Sequence, residues 1–198
     1  MTEQEVTTVK RLLLVAVCLV CALFVAGPSS AVELTIDDVI GTVIPSNPAS
    51  TEAERTYSQK LIDLYNAGTL TPVTDTLIPP HSVTFNVYDP NYNDFIVDFG
   101  GPLPAATGGV DLGLGVNGVF NTAGYTYLYA KFGNNGVLYW LDGATSVSNL
   151  VAPSGLGLEG GTGLSGVRLY TQVPEGGTLM LLGFGLAGVG TFRRCMKR

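Results

Sequence analysis

The sequence predicts a mainly β protein: an antiparallel β-sandwich or jelly-roll-like domain with one N-terminal helix, flanked by a signal peptide and a C-terminal transmembrane helix. Three observations predict this class. Apolar and polar residues alternate in short segments after residue 80, connections rich in Gly, Asn and Pro separate them, and an apolar run lies near each end of the 198-residue chain. We therefore divide the chain into a signal peptide at 1–31, an irregular segment with one helix at 32–80, an antiparallel β domain at 81–172 and a membrane segment at 173–198.

The first 31 residues have the order of a secretory signal peptide. Lys10 and Arg11 precede an apolar run at 12–26, and small residues follow that run. This order predicts cleavage between Ala31 and Val32, and export of the rest of the chain. The run has 15 residues, whereas a helix that spans a bilayer needs about 20. An uncleaved anchor helix is the alternative.

One helix is predicted at 53–67. Ser50 is a typical N-cap residue, acidic residues occupy the first turn, and Gly68 is placed to end the helix. An apolar stripe at helical spacing predicts that the helix packs against a sheet; it consists of Tyr57, Leu61, Leu64 and Tyr65.

Alternation with a period of two predicts strands at 81–88, 95–99, 116–120, 125–132, 137–141 and 164–170. The 125–132 and 137–141 segments are joined by Gly and Asn residues, which favours a hairpin. Aromatic residues are concentrated in this hairpin, at Tyr125, Tyr127, Tyr129 and Trp140. We expect ordinary core and cross-strand packing of these rings, with an exposed platform for carbohydrate as the alternative.

Charge and cysteine content exclude several kinds of function. Residues 32–172 contain 13 acidic and four basic residues, so this part of the chain carries a net charge of −9 and is not suited to nucleic acid. The three cysteines lie outside it, which excludes a disulfide framework and thiolate metal sites there. His81 is the only histidine, and we expect it to be structural.

The C-terminal end carries an apolar run at 178–192, followed by a basic tail: Arg193, Arg194, Lys197 and Arg198. Positive residues beside an apolar helix are retained in the cytoplasm. A cleaved N-terminal signal places the central domain outside, so the two ends predict one consistent topology. The 15 apolar residues would span about 22 Å as a helix, which snorkelling side chains can extend. We therefore expect membrane lipid to be a partner of this helix.

Val173, Pro174 and Glu175, with the short Gly- and Leu-rich run and the basic tail, resemble the PEP-CTERM protein-sorting segment. In that family a Pro-Glu-Pro motif precedes such a helix; here Gly176 replaces the second proline. The resemblance covers residues 173–198. It implies that an exosortase, a membrane protease-transpeptidase, processes the chain, and that Pro174 and Glu175 are recognised as part of a substrate. It also implies association with exopolysaccharide production.

Few residues in the central domain suggest chemistry. Asp89, Asn91 and Asn93 have the alternate spacing of a calcium loop, but later positions lack the required glycine and glutamate, so a turn is expected instead. Acid pairs such as Asp37 with Asp38, or Asp89 with Asp98, have the residue types that glycosidases use. Nothing in the sequence places either pair in one cleft. No cofactor is expected.

These observations favour an exported cell-surface or extracellular-matrix protein that is structural or adhesive and not an enzyme. It would be tethered to the inner membrane before processing, and at the cell surface or extracellular afterwards. A module that binds exopolysaccharide is the first alternative. A secreted hydrolase with a carboxylate pair is the second; two close carboxylates in a cleft would favour it.

Overall fold

The computed structural model of this chain describes residues 31–46, 50–88, 98–113, 118–152, 158 and 163–173. Within these residues there are one α-helix, α1 (Thr51–Asn66), a short 3-10 helix (Ile36–Asp38) and ten strands. The strands are β1 (Val32–Glu33), β2 (Val39–Ile44), β3 (Val73–Ile78), β4 (His81–Val87), β5 (Ala106–Asp111), β6 (Phe120–Asn121), β7 (Tyr127–Phe132), β8 (Asn135–Trp140), β9 (Ser146–Ser148) and β10 (Leu164–Gln172). The predicted mainly β fold with one helix is confirmed.

Seven strands form one sheet in the order β3-β4-β2-β8-β7-β10-β5. Every neighbouring pair in it is antiparallel. Strand β2 lies between β4 and β8, so residues from before and after the helix share one sheet. The expectation of an irregular segment at 32–80 is therefore corrected, because β2 and β3 belong to the main sheet and β1 to a second sheet. The sequence did not reveal these strands, because they are short and their apolar and polar residues do not alternate strictly.

Strands β7 and β8 form a hairpin with Phe132 opposite Asn135, which leaves a turn of two residues, Gly133 and Asn134. Gly133 has a φ of 59°, the conformation that a type II′ turn requires at its first central position. The predicted hairpin is confirmed, with a tighter turn than the four residues suggested. Strands β4 and β10 also lie where the sequence predicted them. Of the described residues in the predicted strand at 116–120, only Phe120 is in a strand, and the described residues of the predicted strand at 95–99, Asp98 and Phe99, are in none. Residues 95–97 and 116–117 lie outside the described residues.

Helix α1 begins and ends at the predicted signals. The Ser50 hydroxyl accepts a hydrogen bond from the Ala53 backbone N–H at 3.1 Å, and Gly68 has a positive φ of 67° after the last turn. The buried face of the helix packs against β2, β4 and β5. This face includes Tyr57 and Leu61, as the stripe predicted, together with Ile62.

The two faces of the main sheet are covered differently. On one face α1 packs over a core that includes Tyr57, Leu61, Phe85, Tyr127 and Tyr129. On the other face a three-stranded sheet of order β1-β9-β6 covers an apolar core. Its β1–β9 pair is parallel. The second layer expected of a sandwich is thus small in the described residues, and the helix covers the opposite face.

Side chains of α1 hold the segment that leads into β5. The Asn66 side-chain amide donates to the Leu103 carbonyl at 2.8 Å and accepts from the Leu103 N–H at 2.7 Å. Gln59 accepts from the Ala106 N–H at 2.8 Å. Because β5 is an edge strand, these bonds fix its start against the helix.

None of the helices in the described part of the chain is long and apolar enough to cross a membrane. The signal peptide predicted at 1–31, except for Ala31, lies outside that part. The predicted C-terminal helix also lies outside it, because Val173 is the last described residue.

Candidate functional site

A buried arginine joins three elements on the helix side of the main sheet. Arg168 in β10 donates to the Thr51 hydroxyl at 3.2 Å and to Asp111 Oδ2 at 3.0 Å, and it forms an ion pair with Glu54. Thr51 and Glu54 lie in the first turn of α1, and Asp111 ends β5. The Arg168 side chain is about 10% exposed. This ion pair therefore ties the start of the helix to the edge of the sheet.

Local sequence explains why these groups meet. Asp111, Arg168 and Tyr129 lie directly opposite one another on three neighbouring strands, so their side chains share the helix-facing side. The helix start can approach β5 because Gly109 has no side chain: a Cβ there would lie 2.7 Å from Thr51 Cγ2. The Tyr170 hydroxyl also donates to the Thr51 carbonyl at 3.1 Å.

Glu54 is fully buried. Its Oε2 binds Arg168, and its Oε1 has no hydrogen-bond partner among the described residues. Burial raises the pKa of the Glu54 carboxyl above its ordinary value, and the positive charges of Arg168 and Lys131 only partly offset that rise. Burial of the Glu54 carboxylate therefore costs free energy that its ion pair with Arg168 does not fully offset.

A cleft of about 470 Å³ lies beside this ion pair. It occupies one end of the sheet, where β5 and β7 end and β10 begins. Eight residues line it, three of them glycines: Asp111, Gly113, Lys131, Gly133, Asn134, Ser165, Gly166 and Arg168. The volume is in the range of about 300–1,000 Å³ that small-molecule sites occupy. Its side chains include both signs of charge, from Asp111, Lys131 and Arg168.

A β-bulge shapes one wall of the cleft. Leu164 pairs with Phe132 and Gly166 pairs with Lys131, so Ser165 is an extra residue in β10. Bulges redirect a side chain and are frequent beside functional sites. The Ser165 hydroxyl donates to the Lys131 carbonyl at 3.0 Å. The hairpin turn forms the next wall, and its Asn134 carbonyl accepts from the Ser46 N–H at 2.8 Å.

The structure does not arrange the aromatic residues of the hairpin as an exposed platform. Tyr127 and Tyr129 are buried, whereas Tyr125 and Trp140 are half-buried. Tyr127 pairs directly with Trp140, and their ring centroids are 5.4 Å apart. The Tyr127 hydroxyl donates to the Pro104 carbonyl. The expected core and cross-strand packing is confirmed for Tyr127, Tyr129 and Trp140.

The predicted acid pairs do not form a cleft. Asp37 and Asp38 lie in the 3-10 helix, where Asp38 accepts from the Thr35 N–H at 2.7 Å and so caps that turn. Asp98 accepts from the Gly100 N–H at 2.8 Å, whereas Asp89 lies outside the described residues.

The weak calcium candidate, Asp89, Asn91 and Asn93, also lies outside the described residues. In the part of the chain that the structure does describe, no group of three or more His, Cys, Asp or Glu side chains is placed to hold a metal ion.

The two predicted processing points lie at the ends of the described domain. Ala31 and Val32 are exposed, and Val32 begins β1. Val173 follows β10, is 46% exposed, and donates its N–H to the Ala105 carbonyl at 2.8 Å. The other predicted sorting residues, Pro174 and Glu175, and the basic tail, Arg193, Arg194, Lys197 and Arg198, lie outside the described residues.

Sequence reasoning missed the acid–arginine ion pairs. Glu54 entered the prediction only as one of the acidic residues in the first turn of the helix, and Arg168 was not singled out. One signal was present: Arg168 stands between Val167 and Leu169 in a strand whose neighbours are apolar, and a charge there needs a buried partner. The partner itself lies 114 residues away, and only the fold identifies it.

No protein-family model matches this chain, and no curated protein and no solved structure does either.

Proposed function

We propose that this chain is an exported surface protein, held in the membrane by its C-terminal segment until a protease releases it, and that its folded domain is a non-enzymatic structural or adhesive module. The observation that carries the proposal is the position of the two predicted processing points, which flank the described domain and are exposed. A domain with this layout can lose both terminal segments without losing a buried strand.

The N-terminal boundary supports export. The described domain begins at the predicted cleavage point, where Ala31 and Val32 are exposed. The small residues before Val32 are typical of a signal-peptidase site. Val32 is 44% exposed, and β1 has only two residues, so a signal peptidase would need to displace little structure.

The C-terminal boundary supports processing near the sorting motif. Strand β10 ends at Gln172, directly before Val173 and Pro174. Proline keeps the preceding residue extended, which is the conformation that a protease binds. Gly176 and Gly177 beyond the motif add backbone freedom. The arrangement fits recognition by an exosortase-type enzyme, with Val173, Pro174 and Glu175 as substrate residues.

A non-enzymatic role is supported by the use of the carboxylates. Glu54 and Asp111 both bind Arg168, so they are two acids near one cleft. Glu54, however, is fully buried and is not among the residues that line the cleft. A general acid must reach the proton it transfers. This pair is therefore better suited to holding Arg168 than to hydrolysis.

Mass spectrometry of the mature protein from its native host tests the proposal. We expect an N-terminus at Val32 and a C-terminus between Val173 and Gly176. The double variant Arg193→Glu/Arg194→Glu should release the chain from the membrane fraction or misplace its tail, because the positive-inside signal is weakened. Lys60→Glu, which changes a basic residue of the central domain, is the matched control. An intact Met1 with a retained Arg198 would overturn the proposal.

Binding of a carbohydrate is a second candidate function, and one observation favours it. Several hydrogen-bonding side chains, among them Asp111, Asn134 and Ser165, line one cleft. The aromatic route to carbohydrate binding has no such support, because Tyr127 and Tyr129 are buried.

A further inference from the structure

We propose that the β3–β4 end of the main sheet binds an uncharged polysaccharide on the side that faces away from α1. The surface, called here the polar face, consists of Thr74 in β3 with Ser82, Thr84 and Asn86 in β4. Its side chains exchange hydrogen bonds with the hydroxyl groups of the polymer. The proposal rests on the second candidate function, carbohydrate binding, and assigns it to a surface other than the cleft. It is independent of export.

The register of the two strands places these four side chains together. Thr74 lies directly opposite Thr84, and their hydroxyl oxygens are 3.2 Å apart. Ser82 precedes Thr84 by two residues and Asn86 follows it by two, so the alternation of a strand puts all three on one side of β4. The residues between them are buried in the core under the helix. The polar face therefore points away from the helix.

The polar face is open to solvent. The apolar core under the small second sheet includes residues of β2, β7, β8 and β10, but none of β3 or β4. Thr74, Ser82 and Asn86 are exposed, and Thr84 is half-buried. A long polymer can thus lie across the two strands without displacing any described element.

The polar face is uncharged, although residues 32–172 carry 13 acidic and only four basic residues. The one acid of these two strands, Asp75, lies on the helix side, 3.3 Å from Lys60 of α1. His81 is opposite Ile78, which packs against the core under the helix. Edge strands such as β3 commonly carry outward charges, Lys above all. An uncharged face on an acidic domain suits an uncharged ligand, because the rest of the domain repels polyanions.

The size of the polar face argues against a folded protein as its partner. Strands of six and seven residues, with a rise of about 3.4 Å per residue and a spacing of about 4.8 Å, cover only about 240 Å². A stable protein interface takes about 800 Å² from each partner. A polymer with repeating units does not need that area, because many weak contacts along one chain add to its avidity.

The chemistry of the polar face matches that of a sugar. Hydroxyl and amide groups both donate and accept hydrogen bonds, as sugar hydroxyls do. The hydrogen bond between Thr74 and Thr84 and their stiff β-branched side chains order two of these groups before a ligand arrives. Ile44 lies opposite Thr84 on β2 and is 39% exposed. It offers an apolar contact to the C–H groups of a sugar ring.

Affinity electrophoresis of the purified full-length chain tests the proposal. Native gels contain dextran, hydroxyethylcellulose, galactomannan or polygalacturonate, and migration is compared with that in a gel without polymer. We expect at least one of the three uncharged polymers to slow the chain, and polygalacturonate to have no effect. Added salt should leave the retardation unchanged, because no charge on the polar face takes part.

One double variant and a matched control locate the site. Thr74→Ala/Asn86→Ala removes two hydrogen-bonding side chains from the polar face and should raise the dissociation constant by about tenfold or more. Thr107→Ala/Ser148→Ala removes two hydroxyls from β5 and β9, outside the polar face, and should leave the retardation unchanged. Thermal unfolding followed by circular dichroism will show that both double variants are folded.

Four results would overturn the proposal. Retardation that survives Thr74→Ala/Asn86→Ala would place the binding elsewhere, and stronger retardation by polygalacturonate would make the ligand anionic. A dimer in sedimentation velocity that the same double variant abolishes would make a second copy the partner. The fourth is an absence of retardation by every polymer, which would remove carbohydrate binding altogether.

Gly166→Val separates this proposal from the function on which it rests. Gly166 lines the cleft, and a Cβ there meets no atom within 4 Å, so the valine narrows the cleft. We expect it to leave the retardation unchanged. Retardation that is lost in Gly166→Val and kept in Thr74→Ala/Asn86→Ala would overturn the polar face as the site and retain carbohydrate binding in the cleft.

Discussion

The two faces of the seven-stranded sheet are built from the same strands but differ in chemistry. On β7, Leu128, Ala130 and Phe132 face the small second sheet and belong to an apolar core. Alternate residues of the same strand face the helix, and they include the buried Tyr129. Strand β10 repeats the contrast, with Leu169 on the apolar face and Arg168 on the helix side. At these two strands both faces are well covered, but among the described residues the buried charges, Glu54 and Arg168, lie on the helix side.

This difference shows that the two faces contribute to the stability of the fold in different ways. An apolar face gains free energy from burial with no requirement for exact partners. A buried ion pair seldom adds net stability over an apolar pair of the same size, although breaking it is costly. The Glu54–Arg168 pair therefore contributes less through net stability than through the fixed connection that it makes between the start of α1 and β10.

The largest expected effect comes from breaking the ion pair on the helix side. Arg168→Met leaves Glu54 buried without its partner and should lower the free energy of unfolding by about 3–5 kcal/mol. Adding Glu54→Gln to that variant should restore much of the loss, since no isolated charge then remains. Urea denaturation of the two single variants and the double variant gives the coupling between them.

The opposite face supplies the control for this prediction. Leu169→Ala removes a fully buried apolar side chain next to Arg168 and should cost about 2–5 kcal/mol through the cavity it leaves. Glu54→Gln should not restore that loss. Equal effects of Glu54→Gln in the Arg168→Met and Leu169→Ala backgrounds would remove the distinction between the faces.

A smaller effect is expected at a glycine on the helix side. The Tyr129 ring lies over Gly136, and a Cβ there would be 1.8 Å from the Tyr129 hydroxyl oxygen. Gly136→Ala should therefore destabilise the protein by about 1–3 kcal/mol, because a buried aromatic ring would have to move. Thermal unfolding followed by circular dichroism measures this loss.

Gly166→Ala is the matched control, since both glycines lie opposite Lys131 on the two strands that flank β7. A Cβ at Gly166 meets nothing within 4 Å. Its substitution should be within about 1 kcal/mol of neutral, or slightly stabilising. If the two substitutions cost the same, the position of the Tyr129 ring is not what requires Gly136.

The sequence predicted local features well and long-range pairings poorly. The Ser50 cap, the end of the helix at Gly68 and the β7–β8 hairpin depend on neighbouring residues, and all three are confirmed. Strand β2 was missed, although it lies inside the main sheet, because six residues without strict alternation are compatible with a loop. The Glu54–Arg168 pair could not be predicted because no local signal links a helix start to a strand at the far end of the chain.

The smallest expected effect is the pH dependence that Glu54 contributes. Burial raises the pKa of this carboxyl above its ordinary value of 4.5, so the folded chain keeps a proton that the unfolded chain has already released. Its contribution to stability is thus fully present below the ordinary pKa and is lost as the pH rises through the raised pKa. Glu54→Gln cannot titrate, so the free energy of unfolding of the wild type, relative to this variant, should fall over that window by no more than about 1.4 kcal/mol per pH unit.

Glu52→Gln is the opposing control: the hydrogen bond from Arg55 lowers the pKa of Glu52, so its contribution is present above its ordinary pKa and is lost as the pH falls. Urea denaturation from about pH 2 to about pH 8 covers both windows, because the Glu52 window lies below the ordinary pKa of 4.5 and the Glu54 window above it. The same slope for Glu54→Gln and Glu52→Gln would show that burial does not control the Glu54 carboxyl.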